Sequence, residues 1–256
     1  MSLPPRFNVL GTGVSALSLT EARDLILAAR GQKQLGYVCC ATAYNANLAR
    51  SRPALRAHYN RSLLTTPDGM PLVWLGRWHG HKRTTRVYGP DLLEAVCAAG
   101  RAVGLRHFFY GGDVGVAEQL KDRLIARFPG LTVVGTFTPP FRELDTGELA
   151  DLRARVTAAQ PDVIWIGLSS PKQELFMATH AATLDAGMLI GVGAAFDFLS
   201  GRVPQAPLWM QRSGLEWLHR LATDPRRLWR RYLVHNPMFV IRTLAQLTGL
   251  RKYPLD

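Results

Sequence analysis

The sequence predicts an α/β fold: a Rossmann-like, mainly parallel sheet with helices on both faces, followed by a C-terminal helical appendage. Three observations predict it. The middle of the chain alternates short apolar strands with helices of roughly ten to sixteen residues, the pattern of right-handed crossovers. Its strands are bounded by glycines and prolines and are apolar enough to be covered on both faces. The sheet pattern then stops near Pro204–Pro207, where a helical pattern begins. The expected division is an α/β domain over 1–204 and a basic, aromatic helical appendage over 205–256.

Element by element, Phe7–Leu10 and Gly36–Ala41 read as strands. Between them, Ser18-Leu-Thr-Glu21 is a capping box that opens a helix to about Ala29. Gly11-Thr-Gly-Val-Ser-Ala16 imitates a dinucleotide fingerprint, but the capping box starts the helix after the glycines rather than on them. The next strand, Tyr37-Val-Cys-Cys-Ala, also ends without the acid that would hold a ribose. A glycine turn between two short strands is the better reading. Further on, Arg106–Gly112, Leu131–Phe137, Asp162–Gly167 and Met188–Gly193 read as strands, and Val114–Phe128, Gly147–Gln160 and Pro171 to about Leu184 as helices. Ligands of such sheets sit outside the carboxyl ends of the strands. This directs attention to the loops at Gly111-Gly112, Pro139-Pro140, Gly167–Gln173 and Gly193–Asp197.

Composition bounds the partners. The 256 residues carry 31 basic and 19 acidic side chains, a net charge of +12, with 47% hydrophobic residues. That excess favours anionic partners: phosphorylated small molecules, nucleic acid or an acidic membrane surface. Arginine outnumbers lysine 26 to 5, which suits phosphate recognition, although a GC-rich genome gives the same bias. Three cysteines, two of them adjacent at Cys39 and Cys40, make neither a disulfide framework nor a metal motif and fit a reducing cytoplasm. The N-terminal residues lack a signal-peptide pattern. No apolar stretch reaches the roughly 18 residues of a membrane span. His79-Gly-His81 is the only close histidine pair, with no carboxylate or cysteine near it, so neither a metal nor a cofactor is expected.

The segment from Ala206 onward holds three of the six tryptophans (Trp209, Trp217, Trp229) and nine basic residues against three carboxylates. Asp224-Pro225 reads as an N-cap with proline at the first helical position. The helix that follows to His235 puts Leu228, Trp229, Tyr232 and Leu233 on one side and Arg227, Arg230 and Arg231 around the other. Asn236-Pro237 repeats the device for a last helix through Leu247. The apolar side is expected to pack on the body or dip into a membrane interface.

Several residues are candidates for chemistry. Asp68 stands in a tight Asp-Gly turn after a short apolar strand, where a carboxylate can act as a general base or merely make the turn. Ser170-Pro-Lys-Gln173 reads as a capping box at a helix start, which also offers free amides to an anion. Asp197, a lone acid in the apolar run Gly191–Gly201, either orients a ligand hydroxyl or caps a turn. Arg86 and Asp91 flank Gly89-Pro90 in a loop.

Taken in order, these stretches resemble the WecG/TagA/CpsF glycosyltransferase family. The matching stretches are Pro67-Asp-Gly-Met-Pro-Leu-Val-Trp, Arg86-x-x-Gly-Pro-Asp-Leu, Phe109-Tyr-Gly-Gly and Phe128-Pro-Gly-Leu. They continue with Pro139-Pro-Phe, Pro161-Asp-Val-x-Trp-x-Gly-Leu-x-x-Pro-Lys-Gln-Glu, Gly191-Val-Gly-Ala-Ala-Phe-Asp-Phe and Gly214-Leu-Glu-Trp-Leu-x-Arg-Leu. The resemblance implies transfer of a sugar from a UDP-sugar to a polyprenyl-diphosphate-linked saccharide, for a bacterial surface or extracellular polysaccharide. The anomeric centre would be inverted without a metal, at the cytoplasmic face of the plasma membrane, by a peripheral protein on an anionic surface. The resemblance carries the base onto Asp68, and substrate contacts onto Arg86 and Gln173; Asp197 is a candidate substrate contact from its own setting. Arg220, Arg227 and Arg231 become the appendage arginines that hold the donor diphosphate. It also implies self-association through the surface the tail covers.

Two departures stand out. Where the family shows Thr-x-Asn, this chain has Cys40 and Thr42, with Asn45 nearby but out of register; Thr42 and Asn45 are the candidates for that contact. Where the family has Arg-Ala-Pro before the appendage, this chain has Gln205-Ala-Pro. The rival to a transferase is a nucleic-acid-binding protein with the tail as a basic arm. No RNA-binding motif supports it, so no nucleic-acid partner is expected. Salt-dependent RNA binding without UDP binding would be its mark.

Overall fold

The computed structural model describes residues 3–28 and 30–255. Six strands form a mostly parallel sheet, in the spatial order Leu64–Pro67, Gly36–Ala41, Met188–Gly191, Val163–Gly167, Arg106–Gly111 and Thr132–Phe137, with helices around it, and two further strands form a hairpin. The chain divides into two compact units, one from 1–18, 40–88 and 205–256, the other from 19–39 and 89–204.

The first unit begins with the hairpin β1 (Arg6–Val9) and β2 (Thr12–Ser15), paired antiparallel from Arg6↔Ser15 to Val9↔Thr12. The glycine run is thus a turn and no nucleotide loop. Leu10 (φ 54°) and Gly11 (φ 88°) both take left-handed backbone, as a two-residue turn of this hand requires. After the last residues of β3 (Gly36–Ala41) come helices α2 (Ala43–Arg50) and α3 (Pro53–Arg61), strand β4 (Leu64–Pro67) and helix α4 (Met70–Trp78).

The C-terminal segment belongs to this unit. It consists of α10 (Leu208–Arg212), α11 (Glu216–Thr223), α12 (Pro225–Trp229), a π-helical turn at Arg230–Val234 and α13 (His235–Leu247). The expected restart at Asn236-Pro237 does not occur, because the rod runs on through the proline. Pro237 has no N–H to give to Leu233, so a regular α-turn loses a bond there. The wider turn accommodates this, with the His235 N–H bonded back to the Arg230 carbonyl. Asp224 does not cap α12 through its side chain either; its carboxylate pairs instead with Arg227 Nε at 2.6 Å. The expected apolar side is split: Leu228 and Tyr232 are buried, whereas Trp229 and Leu233 are 46% and 55% exposed. Gln246 ties the segment to the hairpin. Its Oε1 accepts the Leu10 N–H at 2.9 Å and its Nε2 donates to the Asn8 carbonyl at 3.1 Å.

The second unit holds α1 (Leu19–Leu27), whose expected end near Ala29 lies outside the described residues. Its sheet core is β5 (Arg106–Gly111), β6 (Thr132–Phe137), β7 (Val163–Gly167) and β8 (Met188–Gly191), and every registered pair is parallel. Between the strands lie α5 (Gly89–Gly100), α6 (Val116–Arg127), α7 (Thr146–Ala159), α8 (Lys172–His180) and α9 (Ala195–Leu199). Gly89-Pro90-Asp91 opens α5 and is not the expected loop. A true capping box opens α7, where Asp145 and Glu148 each accept the other's backbone N–H. By contrast, α8 has no side-chain cap and stops at His180, short of the expected Leu184, as the chain tightens into a turn. Phe108, Phe109, Tyr110, Ile164, Trp165 and Ile166 are almost fully buried. Within this core the Trp165 indole N–H donates to His107 Nδ1 at 3.0 Å. Burial lowers the pKa of His107 to about 4.

Candidate active site

In the first unit, the ends of β3 and β4 set the geometry. The Asp68 N–H bonds the Ala41 carbonyl at 2.9 Å, so Asp68 follows β4 beside the residue that precedes Thr42. Asp68-Gly69 is a strand-to-helix junction rather than a tight turn. Gly69 is the N-cap of α4 with φ −95°, an ordinary backbone that needs no glycine.

Arg86 gathers this region together. Its Nε donates to the Asp68 carbonyl at 2.6 Å, its Nη2 forms a very short ion pair with Glu216 Oε2, and its plane lies 3.9 Å from the Tyr88 ring centre. The Tyr88 hydroxyl donates to the other Glu216 oxygen at 3.0 Å. Both members of the ion pair are nearly buried, with side chains 15% and 14% exposed. Burial alone would pull the Arg86 pKa down, but the charges of Asp68 and Glu216 outweigh it and hold it above its ordinary value. Burial, reinforced by Glu216 and Asp68, pushes Tyr88 far up and keeps it protonated, with Arg86 and Arg220 opposing.

Thr42 and Asn45 face each other. Thr42 is the N-cap of α2; its N–H and hydroxyl both donate to Asn45 Oδ1, at 3.0 and 2.6 Å. This is a capping box, so both residues have a structural role. Asn45 Nδ2, however, is enclosed without a hydrogen-bond partner, a donor that a ligand oxygen would satisfy. Of the three expected appendage arginines, Arg220 is close enough to Tyr88 to act on its charge. Arg227 is 70% exposed and held by Asp224. The Arg231 guanidinium lies 4.6 Å from the Tyr44 ring centre, two residues beyond Thr42.

Gln173 and Asp197 belong to the second unit. Gln173 is buried and does not form the expected capping box. Its Oε1 accepts the Gly193 N–H at 3.0 Å and its Nε2 donates to Glu174 at 3.0 Å. It thereby ties the loop after β7 to the loop after β8. Asp197 lies in the first turn of α9, partly buried. A cavity of about 670 Å³ opens at the carboxyl ends of β5 and β6, lined by Gly112, Asp113, Val116, Thr138, Phe141 and Arg202. Thr138 Oγ1 there is enclosed without a partner. Gly111 (φ 128°) allows the approach, because a side chain at that point would strike the Gly167 carbonyl.

Sequence reasoning missed Glu216 and Tyr88. Both sit inside stretches that carry the resemblance, Gly214-Leu-Glu-Trp and Arg86-Val-Tyr. The available signal was a glutamate, one of only three acids in a tail rich in arginine, placed inside a family-like stretch.

Comparison with known proteins gives one consistent result. The model of the family described as "Glycosyl transferase WecG/TagA/CpsF family" matches residues 7–253. An N-acetylglucosaminyldiphosphoundecaprenol N-acetyl-beta-D-mannosaminyltransferase of Bacillus spizizenii is 31% identical over 185 residues, 72% of this chain and 70% of the relative. A protein of the same name from Bacillus subtilis is 28% identical over 170 residues, 65% of this chain and 63% of the relative.

Proposed function

This chain belongs to the WecG/TagA/CpsF family of glycosyl transferases, and from that premise we propose that it moves a sugar from a UDP-sugar to a polyprenyl-diphosphate-linked saccharide with inversion at the anomeric carbon. Asp68 takes the proton of the acceptor hydroxyl as that oxygen attacks the anomeric carbon. The bond from the anomeric carbon to the donor phosphate breaks, and its electron pair leaves with UDP. Arg86 and Arg220, with Arg227 and Arg231 as further cations of the C-terminal segment, offset the charge that develops on the diphosphate. In this reading guanidinium groups do what a divalent metal does in other transferases.

The observation that carries the reading is the contact of Arg86 with the backbone of Asp68 at a strand end, in a chain of this family. A carboxylate and a guanidinium in one place suit proton removal and leaving-group stabilisation together. Thr42 and Asn45, through the unpartnered Asn45 amide, are proposed sugar contacts, as are Gln173 and Asp197.

The substrate is membrane-borne in this reading, so the protein works as a peripheral protein on the inner face of the plasma membrane. No helix among the described residues is long and apolar enough to cross a membrane. Exposed Trp74, Trp78, Trp209 and Trp229 suit contact with an interface. The named relatives suggest an N-acetylmannosaminyl donor and an N-acetylglucosaminyl-diphospholipid acceptor. The test is to incubate the full chain with a panel of UDP-sugars and a short-chain prenyl-diphosphate saccharide. One donor is expected to give a product of inverted configuration, insensitive to EDTA. Neither transfer nor hydrolysis with any donor overturns the reading.

A further inference from the structure

Arginines collect at a second place in the first unit, where no carboxylate among the described residues pairs with them. On α2, Tyr44, Asn47 and Arg50 are spaced three apart and share one helix face. Against that face stand residues of the C-terminal rod. The Asn47 amide meets His235 Nδ1 at 3.0 Å, and Asn47 Oδ1 accepts a very short bond from Arg242. Tyr44 packs edge-on to His235 with ring centres 5.0 Å apart, and Arg231 lies over the other side of Tyr44. Arg251, just beyond α13, is 5.6 Å from the Tyr253 ring.

These cations sense one another. Burial lowers the Arg242 pKa, and Arg50 and Arg251 lower it further. Burial, Arg242 and Arg231 likewise lower that of His235. Among the described residues, none of Arg50, Arg231, Arg242 and Arg251 has a carboxylate within ion-pair distance. Three donors here are enclosed and unpartnered: Arg50 Nε, Arg231 Nε and Tyr253 Oη. Holding four guanidinium groups together without a counter-charge is costly, and unmade bonds of buried donors add to the cost. An anion removes both costs. Beside the cluster, α13 leaves Val240, Ile241 and Leu244 exposed on either side of Arg242. An anion that carries an apolar chain would use both features.

We propose that Arg50, Arg242 and Arg251 form a second anion site that binds the diphosphate of a prenyl-linked substrate and seats its chain along Val240, Ile241 and Leu244. The proposal rests on the reading of the protein as a transferase to polyprenyl-diphosphate acceptors, and it adds the group that grips the lipid end of that acceptor. The same phosphate chemistry is found in the headgroups of anionic phospholipids, so the test separates the two sources.

Binding of farnesyl diphosphate and of inorganic pyrophosphate to the full chain is measured by tryptophan fluorescence, for the native protein, Arg50→Gln and Arg242→Gln. Sedimentation with phosphatidylglycerol and phosphatidylcholine vesicles is run in parallel. Farnesyl diphosphate is expected to bind more tightly than pyrophosphate, and each variant to weaken it about 10-fold or more. Unchanged farnesyl diphosphate affinity together with unchanged vesicle binding in both variants overturns the site. Loss of phosphatidylglycerol binding alone, with farnesyl diphosphate affinity unchanged, overturns the substrate assignment in favour of a headgroup. Arg242 also holds Asn47, so Arg251→Gln, which breaks no side-chain hydrogen bond among the described residues, keeps the test open if Arg242→Gln unfolds. Failure of the native protein to use any UDP-sugar, with farnesyl diphosphate binding intact, refutes the proposed function and leaves the anion site standing.

Discussion

Glu216 holds Arg86 against the backbone of Asp68: one carboxylate, from the C-terminal segment, bonds both the Arg86 guanidinium and the Tyr88 hydroxyl. The acid thus sets the position and charge of the arginine proposed to face the leaving group. Glu216→Gln keeps the shape and removes the charge. Turnover is expected to fall about 10- to 100-fold with a small change in melting temperature. Glu216→Ala removes one of the two carboxylate charges that support the nearly buried Arg86, with Asp68 remaining, and strips the Tyr88 hydroxyl of its acceptor, so it is expected to cost roughly 1–3 kcal/mol. Native turnover in Glu216→Gln, measured beside its thermal melt, would remove Glu216 from the mechanism.

Asp68→Asn tests the proposed base directly. The side chain is partly exposed and the contact from Arg86 is to the backbone carbonyl, which the substitution keeps. The substitution removes a charge that supports Arg86, so the variant is expected to stay folded with a modestly lower melting temperature and to lose roughly 10²–10⁴-fold in turnover. Steady-state kinetics on the same preparation decide it, and near-native turnover rules Asp68 out.

His107 makes stability depend on pH in a defined window. Its native pKa is about 4, against an ordinary 6.5. Between those values the unfolded chain takes a proton that the native state refuses. The contribution is fully present above about pH 6.5 and is lost as pH falls towards 4, amounting to about 3 kcal/mol. Urea unfolding from pH 7 to pH 4 is expected to show this loss, and His107→Gln, which keeps an acceptor for Trp165, is expected to reduce it. Equal pH slopes for the two proteins would sink the assignment.

Gln246 satisfies a hairpin donor and a hairpin acceptor with one amide. Gln246→Ala is expected to cost roughly 1–3 kcal/mol, read as a lower urea midpoint with unchanged m. Removal of 205–256 takes away this clamp and the Arg86 partner together, and is expected to leave residues 1–18 and 40–88 unfolded by hydrogen exchange rather than a folded remnant.

The strands of the second unit were legible because parallel strands buried on both faces are unbroken apolar runs between glycines, as Asp162-Val-Ile-Trp-Ile-Gly is. Within the first hundred residues, β1, β3, the glycine turn and α1 were legible as well, whereas the short helices that follow β3 were not. Helices as short as α2 and α3, eight and nine residues, derive their order from tertiary partners rather than from their own sequence. Asp68 and Arg86 were legible from motif order. Glu216 was not, since its role depends on a residue 130 positions away. Gln173 misled: the Ser-x-x-Gln spacing signals a cap, while the side chain serves a neighbouring loop instead. Asn236-Pro237 misled in the opposite sense, because a wide turn let the helix pass the proline.

That wide turn at Arg230–Val234 sets a phase. In an unbroken α-helix, positions 228, 232, 239 and 243 fall in line, since seven and eleven residues are close to whole numbers of turns. All four are buried, yet the π-turn counts as one inserted residue between the pairs and offsets them by roughly 100°. The rod therefore presents one side before the turn and another after it. Deleting a single residue there would change composition hardly at all. It would swing Arg242 away from Asn47 and Gln246 away from the hairpin in the same step, so the length of this segment carries information that no individual side chain in it does.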